Sequence, residues 1–137
     1  MAIETRRGAE KQGRDGLRMR LGSGPDAAAS ARRAISGLRA DLDPPLIETL
    51  RLLVTELVTN SVRHTAADSL TLSVAGGKSA VLTEVADTGP GFDPQCVEDS
   101  AKDDTGWGLF LVQRLADRWG VRHDGPNKRV WFELRRA

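Results

Sequence analysis

Glu56 and Asn60 stand four residues apart within Leu50–Thr65, LRLLVTELVTNSVRHT. On a helix that spacing stacks a carboxylate and a carboxamide one above the other, at the edge of the apolar face made by Leu50, Leu53, Val54, Leu57 and Val58. A polar pair at the rim of a core is placed to meet something polar that docks there; two solvated residues of an amphipathic helix would read the same way. Further on, Asp87 closes an apolar strand and runs into Thr88-Gly89-Pro90-Gly91. A carboxylate at that point can accept hydrogen bonds from an exocyclic amine such as adenine's. Gly89 and Gly91, lacking Cβ atoms, let the backbone approach a flat ligand. The same residues also suit a plain strand-ending turn. Gly106-Trp107-Gly108 then opens a helix, where unbonded N–H groups and the helix dipole attract phosphate. A flexible linker ahead of a helix would look alike.

The elements that must position these groups follow from periodicity. Leu17, Met19 and Leu21 alternate with Arg18 and Arg20 as a half-exposed strand. Gly22-Ser23-Gly24-Pro25 turns the chain into a helix over 26–41, with Ala28, Ala31, Ile35 and Leu38 inward. Asp43 is a candidate N-cap for the central helix, and Pro44 suits its first turn. Leu70, Leu72 and Val74 make a strand, Gly76-Gly77 a hairpin, and Ala80–Ala86 the returning strand. Residues 88–105 form a long connection rich in Gly, Pro and Asp, the kind that often serves as a lid. Gly106–Trp119 reads as a helix with Leu109, Val112, Leu115 and Ala116 inward, ended by Gly120. Val121–His123 and Val130–Leu134 complete the sheet around a turn at Gly125-Pro126-Asn127. Trp119 and Trp131 are expected in the core.

Composition narrows the classes. A chain of 137 residues suits one domain, here 17–137, behind a flexible and mildly basic tail over 1–16. A net charge of +1 gives no global case for nucleic acid or an acidic membrane surface. The lone Cys96 excludes an intrachain disulfide and a cysteine-rich zinc site. No apolar run reaches spanning length, so a cytoplasmic location is expected. The order of motifs excludes a dinucleotide fold, and no P-loop Gly-Lys-Ser/Thr is present.

Taken together, helix Glu-x-x-x-Asn, strand-end Asp-x-Gly-x-Gly, a variable loop and Gly-x-Gly opening a helix resemble the superfamily of gyrase, heat-shock chaperones, histidine kinases and mismatch-repair ATPases, which has the Bergerat ATP-binding fold. Within it, ELVTNSVRH, VADTGPGF, GLFLVQRLADRWG and VWFEL look most like the single-domain anti-sigma factor serine kinases and their actinobacterial relatives. The resemblance spans roughly Leu17 to Leu134. It implies an α+β two-layer sandwich: a mixed, mainly antiparallel sheet covered on one face by about three helices. It also implies ATP and Mg²⁺ as ligands. Asn60 would ligate the metal, Asp87 would hold the adenine amine, and Gly89 and Gly91 would shape the base pocket. Thr105, Gly106, Trp107, Gly108 and Leu109 would form the lid hinge and the phosphate-facing helix start. Glu56 would be the general base, and Arg63, His64 and Arg114 are candidates for phosphate contacts.

Three features depart from the pattern. Trp107 stands where close relatives often carry Arg. The last strand reads Lys128-Arg129-Val130 where a Thr is usual, with Arg129 standing in its place. The segment between Phe92 and Thr105 holds four Asp and one Glu against a single cation, Lys102. By resemblance the chain is an ATP-dependent protein serine/threonine kinase that phosphorylates an anti-sigma antagonist and can sequester a sigma factor, with a homodimer as a further family expectation. The acidic segment and the missing Thr keep a second reading open: a nucleotide-gated module that holds a partner and transfers no phosphate. The catalytic part of a two-component histidine kinase ranks lower, because no helical segment with a phospho-accepting histidine precedes the domain; the two histidines are His64 and His123. Direct nucleic-acid binding and membrane binding are not expected.

Overall fold

The computed structural model describes residues 16–38, 42–64, 68–87, 107–124 and 127–136; for His64, Trp107, Gly108, Leu109 and Asp124 the backbone alone is described. Gly89, Gly91, Thr105 and Gly106, and the tail up to Asp15, lie outside the described residues.

The elements run β1 (Gly16–Gly22), α1 (Ala27–Ser36), α2 (Pro44–His64), β2 (Ser69–Gly76), β3 (Ala80–Asp87), α3 (Trp107–Leu115), β4 (Arg118–Asp124) and β5 (Asn127–Arg135). The five strands make one sheet in the order β1-β2-β3-β5-β4. Every neighbouring pair is antiparallel. A mainly antiparallel sheet was expected with some parallel pairing; among the described strands no pair is parallel, and the reason lies in β5. The β3–α3–β4 crossover leaves β3 and β4 pointing the same way, but β5 folds straight back into the gap between them and runs against both.

Three helices cover one face. Leu53, Val54, Leu57 and Val58 of α2 join Val81 and Val85 of β3 and Val130 and Phe132 of β5 in a single core cluster. Each such side chain contributes roughly 1.5–3 kcal/mol by leaving water. The central helix is therefore held by its packed face more than by local propensity, and its β-branched positions are tolerated for that reason.

Several boundaries move. The first helix stops at Ser36 rather than reaching 41, because Gly37 caps it with its N–H on the Arg33 and Ala34 carbonyls. The last helix ends at Leu115, which is exposed instead of inward. Asp117 takes over there: its N–H bonds the Glu133 carbonyl at 3.0 Å, and its Oδ2 accepts the Arg135 N–H at 2.6 Å. Trp119 and Gly120 consequently belong to β4, with Trp119 half-buried against the core and Gly120 facing Trp131 across the ladder. Gly120 does not terminate a helix; it makes room for an indole. A Cβ there would come within 2.8 Å of Trp131 Nε1. Trp131 itself is not a core residue. Strand alternation places it on the open face of the sheet, opposite the buried Val130 and Phe132, with the Arg118 guanidinium 6.0 Å from its ring centroid.

Candidate functional site

Connectivity gathers the polar candidates at one edge of the sheet. β3 ends there at Asp87, and β5 begins there with Lys128 in register opposite it. β2 also begins at that edge, since Thr71 pairs with Ala86, so the C-terminal end of α2, which feeds β2, must lie close by. Asn60 is on the last turns of α2. The N-terminus of α3 follows from the end of β3, while its C-terminus leads to Arg118, which pairs with Glu133 at the far edge.

Alternation along β3 sends Val81, Thr83, Val85 and Asp87 to the helix-covered face; along β5 it sends Lys128, Val130, Phe132 and Leu134 there. The apolar members are core. The polar ones end up equally buried: Asn60 is 3% exposed, Asp87 5% and Lys128 0%. Lys128 Nζ stands 3.7 Å from Asp87 Oδ2, an ion pair longer than a good charge-assisted hydrogen bond. Among the described residues neither oxygen of Asp87 finds a hydrogen-bond partner, and neither does the Asn60 Nδ2 or the Thr83 hydroxyl. Leaving such a group unsatisfied costs about 1–3 kcal/mol, so each of them calls for a polar partner beyond those described. Thr83, opposite Phe132, is deeper along the strand and belongs to the core rather than to that edge. Burial pulls the Lys128 ammonium below its ordinary pKa of 10.5, while the Asp87 carboxylate pulls it back up.

Of the other candidates, Glu56 is half-buried one turn before Asn60, within reach of solvent. Arg63 is exposed. Arg114 is exposed too, with its guanidinium 5.2 Å from the Phe110 ring centroid. Trp107, Gly108 and Leu109 form the first turn of α3. Among the described residues no three His, Cys, Asp or Glu side chains converge as a metal-ligand set. The inward placement of Lys128 follows from strand alternation alone, since counting back by two from Leu134, Phe132 and Val130 lands on it. The same alternation turns Arg129 outward, where its Nη1 donates to Glu84 Oε1 at 3.1 Å.

The model of the histidine kinase-like ATPase domain matches residues 22–134. The chain belongs to this family. In the histidine kinase-like ATPase domain the ligand is a nucleotide, and the buried polar edge lies inside the matched span. The chain is similar in structure to the RsbU and RsbW domains of Rv1364c from Mycobacterium tuberculosis, with a TM-score of 0.66 at 19% identity over 88% of this chain and 32% of that one. It is also similar to the Acinetobacter baumannii histidine kinase AdeS, with a TM-score of 0.52 at 19% identity over 66% of this chain and 47% of that one. At such identity the likeness is one of fold. The chain spans about a third of the length of the first and under half of the second. Comparison with curated proteins gives no match. No described helix is long and apolar enough to cross a membrane.

Proposed function

We propose that this histidine kinase-like ATPase domain binds ATP with Mg²⁺ at the edge carrying Asp87 and Asn60, and acts in the cytoplasm as an anti-sigma factor serine/threonine kinase. The observation that carries this reading is the buried set of under-satisfied polar atoms on Asp87 and Asn60 at one edge of the helix-covered face. Asp87 offers two acceptor oxygens suited to the amine of adenine. Asn60 offers a carboxamide oxygen suited to a hard cation. Such a cation would neutralise phosphate charge. Gly89 and Gly91 would flank the base, and Thr105 to Leu109 would bring the α3 N-terminus to the phosphates. Arg63 and His64, at the end of α2, would supply cationic or hydrogen-bonding contacts to the phosphates.

Phosphoryl transfer asks the protein for positioning, charge neutralisation and a base. Glu56 takes the proton from the incoming serine or threonine hydroxyl; its half-exposed position, one turn from Asn60, lets a protein substrate reach it. The substrate in this reading is an anti-sigma antagonist, a sigma factor is the sequestered partner, and the protein works as a homodimer. A second reading, a nucleotide-gated module without transfer, is favoured by the acidic segment between Phe92 and Thr105, which repels triphosphate.

One experiment separates them. Thermal unfolding with and without Mg-ATP is measured on wild type and Asn60→Ala, alongside transfer of labelled phosphate to the antagonist by wild type and Glu56→Ala. At a hundred times Kd, ATP should add about 2.7 kcal/mol to wild type and far less to Asn60→Ala. Glu56→Ala should bind ATP as wild type does and lose roughly 10²- to 10⁴-fold in transfer. Saturating ATP that leaves unfolding of the wild type unmoved would remove the nucleotide site, and undiminished transfer by Glu56→Ala would remove the base.

A further inference from the structure

Lys128 is an odd residue to find fully buried in a small sheet. Its side chain is 0% exposed, its strand neighbours on that face are Val130 and Phe132, and its charged end meets Asp87 at 3.7 Å. An ion pair of that length gains little for the water both groups give up. Apolar residues of the same volume would serve stability as well or better. Asp87 and Lys128 are therefore better understood by what they present together.

Side by side on facing strands, they offer an acceptor next to a donor. The acceptor is a carboxylate whose two oxygens make no hydrogen bond among the described residues. The donor is an ammonium carried on a flexible stem, able to rotate three N–H groups toward a new acceptor. A planar ring with an exocyclic amine beside a ring nitrogen matches this pair atom for atom. In adenine the 6-amino group is flanked by two such nitrogens, N1 and N7. The amine takes Asp87, and one of the flanking nitrogens takes Lys128.

We propose that Lys128 reads the base: its Nζ donates to the ring nitrogen adjacent to the amine that Asp87 holds, so that recognition uses a charged donor from β5 as well as the carboxylate from β3. This rests on the nucleotide reading of the site. The ion pair then keeps both groups aimed until the base arrives. The lowered proton affinity of the buried ammonium fits this use, since a desolvated donor gives a stronger hydrogen bond to a neutral nitrogen than a hydrated one.

Replacing single ring nitrogens by C–H tests it. Binding of ATP, 1-deaza-ATP and 7-deaza-ATP is measured by displacement of a fluorescent ATP analogue from wild type, Lys128→Met and Lys128→Thr. One of the two analogues should bind wild type roughly 10- to 100-fold more weakly than ATP, the worth of a hydrogen bond to a charged group. In Lys128→Met that penalty should vanish, ATP and the analogue binding alike. Lys128→Thr, whose hydroxyl fills the position with less disturbance, should show a reduced penalty for the same analogue. If wild type binds ATP and both analogues equally well, the proposal is overturned without recourse to any variant. An analogue penalty of the same size in wild type and both variants overturns it as well. Failure of wild type to bind ATP at all would instead remove the nucleotide site on which the proposal stands.

Discussion

Two ion pairs tie β3 to β5, one on each face of the sheet, and they are made in opposite ways. On the open face Arg129 Nη1 meets Glu84 Oε1 at 3.1 Å, with the side chains 37% and 24% exposed. On the helix-covered face Lys128 and Asp87 are 3.7 Å apart and wholly buried. The geometrically better bond lies where water screens it and its worth is small. The poorer one lies where desolvation is most costly. Neighbouring positions on the same strands thus pair similar charges under different physical demands. Packing alone would reverse the arrangement, which is why the buried pair is best read as serving a ligand and the open one as fastening a surface.

The sharpest way to break that contrast is to remove one partner of the buried pair. Lys128→Met strands the Asp87 carboxylate and should cost on the order of 3–5 kcal/mol by chemical denaturation at neutral pH. Pairing it with Asp87→Leu should recover most of that loss while abolishing nucleotide binding. The pH dependence carries a sign. The folded-state pKa of Lys128 is lowered from 10.5, so within the window below 10.5 the unfolded chain binds more protons than the folded one. Wild-type stability relative to Lys128→Met should accordingly climb as pH rises toward 10.5 and level off beyond it. A single variant costing under 1 kcal/mol, or a difference that falls with rising pH, would show that the two faces treat their ion pairs alike.

The two faces also differ in how much of them could be read from the chain. The covered face was legible: Leu53, Val54, Leu57 and Val58 announce a helix packed on a sheet, and Leu70, Leu72 and Val74 announce a strand facing it. Asp87 and Asn60 stood out through their spacing, and both are buried in the folded chain. Trp119 packs against the core as expected, but Trp131 does not. A tryptophan reads as core by size alone, while the alternation of β5 turns this one to the open face. Trp119 lies in a strand rather than a helix because of where β4 begins. That start is set by Asp117, whose contacts with Glu133 and Arg135 join residues distant in sequence. Periodicity cannot see such bonds, which is why it extends the last helix to Trp119 and makes Gly120 its terminator. Gly120→Ala tests the corrected task. Its Cβ would come within 3.0 Å of Trp131 Cε2 and Cζ2 as well as overlapping Nε1, at a cost of roughly 1–3 kcal/mol for overpacking. Trp131 fluorescence should shift as the indole is displaced, and Gly120→Ala with unchanged stability and emission would mean the indole does not rest on Gly120.

The smallest effect belongs to the open face and completes the contrast. A double-mutant cycle on Glu84→Gln and Arg129→Gln should return a coupling energy of about 0.2–1 kcal/mol, several times less than the loss from Lys128→Met despite the shorter contact. Raising ionic strength toward 1 M should erase it, because a half-exposed pair is screened over a few ångströms of salt solution. The buried pair should hold its coupling under the same salt, since counterions cannot approach groups that water itself does not reach. Burial, not distance, then sets the worth of each pair. If the Glu84–Arg129 coupling survived high salt undiminished, the open face would have to be covered in solution, and a surface that now reads as solvated would become an interface.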